Sequence, residues 1–170
     1  PAEKVNFSKT VIESATTQSL PLSLPNFRKQ HPRLPYPSDD DIARLKKDSR
    51  YLNNILRQVK RKKAKLYPLI LAEAFSPGSQ DLNRIFDRLM SLKFTGRGHQ
   101  VKMLAVAYDW LYPNWPTEQR QQLRARLIDG CQYVINVIQE QTLSPYNVFL
   151  YNSPLQTLMS CAIASYGDTD

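Results

Sequence analysis

Apolar residues along most of this chain recur at three- and four-residue spacing, the pattern of helices that each bury one stripe. The plainest case is Val101–Tyr112, twelve residues carrying one Lys and one Asp. Val101, Leu104, Ala105, Tyr108 and Leu111 fall on one stripe. Ala105 and Ala107 are small enough for another helix to come close, and Tyr108, Trp110 and Tyr112 add large apolar area with polar tips. This stretch is expected to be a buried inner helix, with the helices before and after it forming antiparallel hairpins around it.

The same periodicity predicts the other helices. Ser38 reads as an N-cap, with Asp39, Asp40 and Asp41 in the first turn, where the helix dipole favours negative charge. The stripe then runs through Ile42, Leu45, Leu52, Ile55, Leu56 and Val59 towards Leu66, with Asp48-Ser49 as a candidate interruption and Pro68 as a stop or kink. A short helix within 67–78 ends at Ser76-Pro77-Gly78. Leu82, Ile85, Phe86, Leu89 and Leu92 mark another within 79–94. Thr117 reads as the N-cap of a helix striped by Leu123, Leu127, Ile128, Cys131, Val134, Ile135 and Ile138, with Arg120, Arg124, Arg126 and Gln132 on its other face. Ser144-Pro145 ends it. Ser153 reads as the cap of a last helix with Pro154 at its first position, striped by Leu155, Leu158, Met159, Ala162, Ile163 and Tyr166 and closed by Gly167. A short helix around 8–18 is a further candidate. No segment sustains the period-two alternation of a strand. The fold class expected is all-α.

Composition divides the chain. Six of its twelve prolines fall in the first 37 residues, so residues 1–37 are expected to be an extended arm and residues 38–170 a helical domain. Basic residues outnumber acidic ones by 23 to 15, a formal charge of +8, which favours polyanionic partners without choosing among nucleic acid, anionic lipid and acidic polysaccharide. No run of 18 apolar residues is present, so no membrane insertion is expected. No signal peptide is visible, and the sequence opens on Pro1, from which an upstream piece is expected to have been removed. Asn6-Phe7-Ser8 has the form of a glycosylation sequon.

Candidate chemistry is sparse. Cys131 and Cys161 both fall on apolar stripes and read as small buried hydrophobes; a disulfide between them remains open. With two His in the chain and no zinc-like spacing, neither a metal nor a cofactor is expected. His31 and His99 read as loop residues at the surface or in hydrogen bonds. The basic run 57–65 is either a polyanion contact or a solvated helix end. Tyr146-Asn-Val-Phe-Leu-Tyr-Asn152 sets two carboxamides and two phenols before a helix N-terminus. Asn can hydrogen-bond a carboxylate there and Tyr can transfer a proton, although capping and core roles suit the same residues.

Four stretches resemble one family. His31-Pro-Arg-Leu34, followed by Ser38-Asp-Asp-Asp-Ile-Ala-Arg-Leu45, is similar to the entry of heparinase II/III-type and alginate-lyase-type polysaccharide lyases. Ala105-Val-Ala-Tyr-Asp-Trp-Leu-Tyr112 and then Pro116-Thr-Glu-Gln-Arg120 resemble an inner helix of those enzymes and its sequel. Asn147 to Asn152, with an apolar helix ending at Tyr166-Gly-Asp168, resembles their Asn-rich segment and next helix. The resemblance spans about residues 30–168. It implies part of an (α/α) toroid whose cleft holds an acidic polysaccharide, cut by β-elimination: an Asn neutralises the uronate carboxylate while Tyr or His takes the C5 proton and protonates the leaving oxygen. Spreading the developing charge onto a paired carboxylate is what makes that proton removable.

On this basis Asn152 is expected to neutralise the carboxylate, with Asn147 next and Tyr146 and Tyr151 as proton carriers. Arg97, His99 and Trp115 are the expected substrate contacts. Family members carry Asn-Trp or Asn-His where this chain has Tyr146-Asn147 and Asn152-Ser153, and their catalytic Tyr and further His come later. The chain is thus expected to be the N-terminal portion of a periplasmic or secreted enzyme, inactive alone. The alternative is a non-catalytic helical module that binds nucleic acid or a glycosaminoglycan through its basic surface, with nucleic acid ranked below polysaccharide. A scaffold of stacked hairpins ranks last, because the spacing is too irregular for a helical repeat.

Overall fold

A computed structural model of the chain describes residues 30–61, 64–140 and 148–168. Every regular element among them is helical and none is a strand: α1 (Asp39–Lys47), α2 (Ser49–Val59), α3 (Leu66–Phe75), α4 (Leu82–Met90), α5 (His99–Trp110), a 3-10 turn (Tyr112–Asn114), α6 (Thr117–Glu140) and α7 (Val148–Ser165).

Local chemistry sets most of the boundaries. Ser38 and Asp41 form a reciprocal capping box at the start of α1, Ser38 Oγ accepting from the Asp41 N–H at 3.1 Å and Asp41 Oδ2 from the Ser38 N–H at 3.2 Å. Asp48 is a hinge with two duties: its N–H closes α1 on the Arg44 carbonyl, and its carboxylate caps α2 through the Arg50 N–H. The stripe read as reaching Leu66 therefore breaks twice, at Asp48 and after Val59. Pro68 opens α3 instead of ending a helix, because a first-turn residue needs no N–H partner. Asp81 caps α4 through the Asn83 N–H.

Helix α5 is the inner element. It touches α3, α6, α7 and the 3-10 turn. Val101, Leu104, Ala105, Tyr108 and Leu111 are all at most 1% exposed, as their spacing predicts. Gly98, with φ of 78°, begins the helix with no side-chain cap. A Cβ there would lie 2.5 Å from Val134 of α6 and 3.7 Å from Thr157 of α7, so the glycine lets three elements meet. Gly130 plays a similar part in α6, where a Cβ would lie 2.9 Å from Val101.

Two predicted stripes shift. In α6 the buried line is Leu123, Leu127, Gly130 and Val134, while Ile128 is exposed. Arg126 is not simply on an outer face: it reaches the Leu92 carbonyl at 2.5 Å and stacks 4.1 Å over Phe94. In α7 the buried positions are Pro154, Thr157, Cys161 and Ala164, and the larger Leu155, Met159 and Tyr166 face outward. The helix begins at Val148, so Ser153 is not its cap and Pro154 lies inside it. Small side chains win the interface because they let α7 approach α5 and α6 closely. Gly167 does close the helix, with φ of 72°.

Residues 30–37 contain no helix but are packed on the helices: Leu34 is 5% exposed and the Tyr36 hydroxyl donates to the Ala74 carbonyl at 2.7 Å. The proposed helix at 8–18 lies outside the described residues. No described helix is long and apolar enough to cross a membrane.

Candidate functional site

Among the described residues, the most concentrated polar chemistry is a buried cluster joining the segment before α1, the inner helix and the end of α7. Asp109 is fully buried on α5. A carboxylate there must find donors or lose several kcal/mol of solvation, and it finds three. His31 Nδ1 lies 2.6 Å from Oδ1, the Arg33 N–H donates to Oδ1 at 2.9 Å, and the Leu34 N–H donates to Oδ2 at 2.8 Å.

Asp168, just past α7, is the second anion. Arg33 pairs with it at 2.8 Å, Tyr108 Oη donates to it at 2.5 Å, and His31 Nε2 lies 3.2 Å away. Burial pushes the Asp168 carboxyl up, but the bonds from Arg33, Tyr108 and His31 outweigh it and hold the group below the usual carboxylate range. Burial, and then the bond to Asp168, raise the Tyr108 phenol, so it remains a donor. The His31 ring stacks on Tyr112 at 3.7 Å and meets Tyr108 edge-on at 5.6 Å. Arg33 also donates to the Ala164 carbonyl at 3.1 Å.

His31 was expected to lie in a loop, at the surface or in hydrogen bonds. Its side chain is 5% exposed and both ring nitrogens face carboxylates. Neither nitrogen faces a cleft, so the ring ties segments together and is not placed to meet a substrate. The signal for this cluster was in the sequence all the same: one acid, Asp109, in an inner helix of low charge.

A groove of about 280 Å³ opens beside the cluster, between residues 34–35, α5 and α7. Leu34, Val106, Trp110, Met159 and Ile163 make its apolar wall, and Lys102, Gln156 and Ser160 give it a polar side. Lys102 Nζ lies 3.5 Å from Gln156 Oε1. Helix register sets position 152 one turn before Gln156 and two before Ser160, on one face of α7.

The expected site residues fare differently. Tyr146 and Asn147 lie outside the described residues. Tyr151 and Asn152 belong to the first turns of α7, and their side chains lie outside the description. Arg97 and His99 are exposed, His99 being the first residue of α5 and not a loop residue. Trp115 is 1% exposed and its indole N–H donates to the Ala107 carbonyl at 3.2 Å, which makes it a core residue with its polar atom already used. No family model matches the chain, and no curated protein or solved structure matches it either.

Proposed function

We propose that this helical domain is part of a polysaccharide lyase of the heparinase II/III or alginate-lyase type, its helices paired as antiparallel hairpins of an (α/α) toroid. The observation that carries the reading is the meeting of the stretches that resemble the family. His31, Arg33 and Leu34 from the first, Tyr108, Asp109 and Tyr112 from the second, and Asp168 from the last are one another's partners. Motifs that are far apart in sequence are thus bonded to one another, as parts of one framework would be.

On this reading the substrate is a uronic-acid polymer. Asn152 neutralises the uronate carboxylate, Asn147 assists, and Tyr146 or Tyr151 carries protons. The C5 proton leaves to the base, the bond to the leaving oxygen breaks, and an unsaturated sugar remains. The groove edged by Lys102 and Gln156 supports the reading, because it sets a cation beside the face of α7 that carries position 152. The enzyme works in the periplasm or outside the cell, where such polymers occur. The test is the ultraviolet absorbance of unsaturated uronate, followed with the full-length protein on alginate, heparin, hyaluronan and pectate. Absorbance that grows with one of them and is lost in Asn152→Ala supports the reading; no growth with any of them removes it.

A second reading is favoured by one observation. Arg57, Lys60, Arg61 and Lys65 are all exposed around the end of α2. A non-catalytic module that binds polyanions through this patch would show steep salt dependence on DNA or heparin. Binding unchanged in Lys60→Ala with Arg61→Ala would exclude it.

A further inference from the structure

Helices α6 and α7 bring two thiols together. Val134 and Thr157 both approach Gly98, so these two positions face each other across the helix pair. One turn back from Val134 stands Cys131, and one turn on from Thr157 stands Cys161. Helix register thus sets the two cysteines on facing turns of the α6–α7 pair, close enough for each to alter the other's ionisation, and neither is in a disulfide. Cys161 is 2% exposed, whereas Cys131 is only partly buried and can be reached from solvent.

We propose that Cys131 and Cys161 are a reversible redox pair that closes a disulfide between α6 and α7 by exchange with a small-molecule disulfide. This assignment does not depend on the lyase reading. Cys131 is the entry thiol, since it is the accessible member. The neighbouring thiol lowers the Cys131 thiol and raises that of Cys161, and burial lifts Cys161 further. The thiolate is the attacking form, so the pairing favours Cys131 as nucleophile.

The steps balance. Cys131 gives up its proton and its thiolate attacks one sulfur of the small disulfide, forming a mixed disulfide and releasing one small thiolate. Cys161 then loses its proton and attacks the Cys131 sulfur, expelling the second small thiolate. The protein loses two hydrogens and two electrons, and the small disulfide gains both as two thiols. Closure requires Cα atoms within about 7 Å, a close approach that the small buried residues of α7 at this level, Thr157, Cys161 and Ala164, favour.

The experiment uses the reduced protein, oxidised glutathione as the probe, alkylation of remaining thiols, and intact mass with peptide mapping. The expected product is lighter by two hydrogens, joins the peptides carrying Cys131 and Cys161, and reverts with dithiothreitol. Cys161→Ala should stall at one glutathione on Cys131, and Cys131→Ala should take up none. Circular dichroism confirms that each variant is helical, and the wild-type product decides the matter if either fails to fold. Glutathione on both cysteines of the wild type, or two thiols left free under conditions that modify Cys131 in Cys161→Ala, would overturn the proposal.

Discussion

Asp109 Oδ1 lies 2.6 Å from His31 Nδ1, across 78 positions of sequence, and the carboxylate is wholly inside the protein. Its other bonds go to the backbone N–H groups of Arg33 and Leu34, so one side chain fixes the course of a helix-free segment. Asp109→Ala leaves those two N–H groups and His31 Nδ1 without their partner in a dry interior. The expected loss is about 3–5 kcal/mol, read as a lower midpoint in urea. Asp109→Asn keeps the shape but retains one acceptor where two are used, and should recover only part of that loss. Equal stability of wild type and Asp109→Ala would show that the clasp contributes nothing.

Acid should loosen the same cluster from its other end. Asp168 is held below the ordinary carboxylate value in the folded protein. A depressed group stabilises the fold in full above the unfolded value, near about 4, and the contribution is lost as pH falls through the lower folded value. Thermal midpoints followed from neutrality into the acid range should therefore fall more steeply for the wild type than for Asp168→Asn, which has no such group to protonate. Parallel curves would contradict the assignment.

Close packing at Gly98 gives a prediction with an internal control. Gly98 and Gly78 share a left-handed backbone, with φ of 78° and 80°, but a Cβ at Gly78 meets nothing within 4 Å. Gly78→Ala should cost only the conformational strain, about 1–2 kcal/mol. Gly98→Ala adds a collision with Val134 and should cost a further 1–3 kcal/mol or so. Denaturation of both variants side by side checks this, and equal losses would mean that the α5–α6–α7 junction is looser than its contacts indicate.

Trp115 offers a test that separates core from surface. Trp115→Phe removes volume and leaves the Ala107 carbonyl without its indole donor, for an expected loss of about 1–3 kcal/mol. Met159→Ser, on the outward face of α7 at 63% exposure, should stay within about 0.5 kcal/mol. The reverse order would move the core boundary to the other side of α7.

The helices were legible in the sequence wherever large apolar residues also made the interface. The line from Val101 to Leu111 is the clear case: spacing, low charge and burial agree. It failed in α7, where hydrophobicity singles out Leu155, Met159 and Tyr166 but close approach selects Pro154, Thr157, Cys161 and Ala164. Side-chain size, not polarity, decides a tight helix contact, and a periodicity reading weighs it too little. The His31 cluster was hidden for another reason. Its bonds span 60 to 137 positions, so no local spacing could connect the three segments, and only the lone acid of the inner helix hinted that donors must arrive from elsewhere. Asn147 and Asn152 stood out in the sequence as amides, while their side chains lie outside the described residues.

The bond between His31 and Asp168 spans 137 residues. Synthesis proceeds from the N-terminus, so His31 and Arg33 leave the ribosome long before their shared partner Asp168 exists. Until then the Arg33 guanidinium lacks the carboxylate it pairs with, and Asp109 alone holds the His31 ring. Messages truncated ahead of codon 168 should yield chains that form helices yet leave this stretch open to proteases.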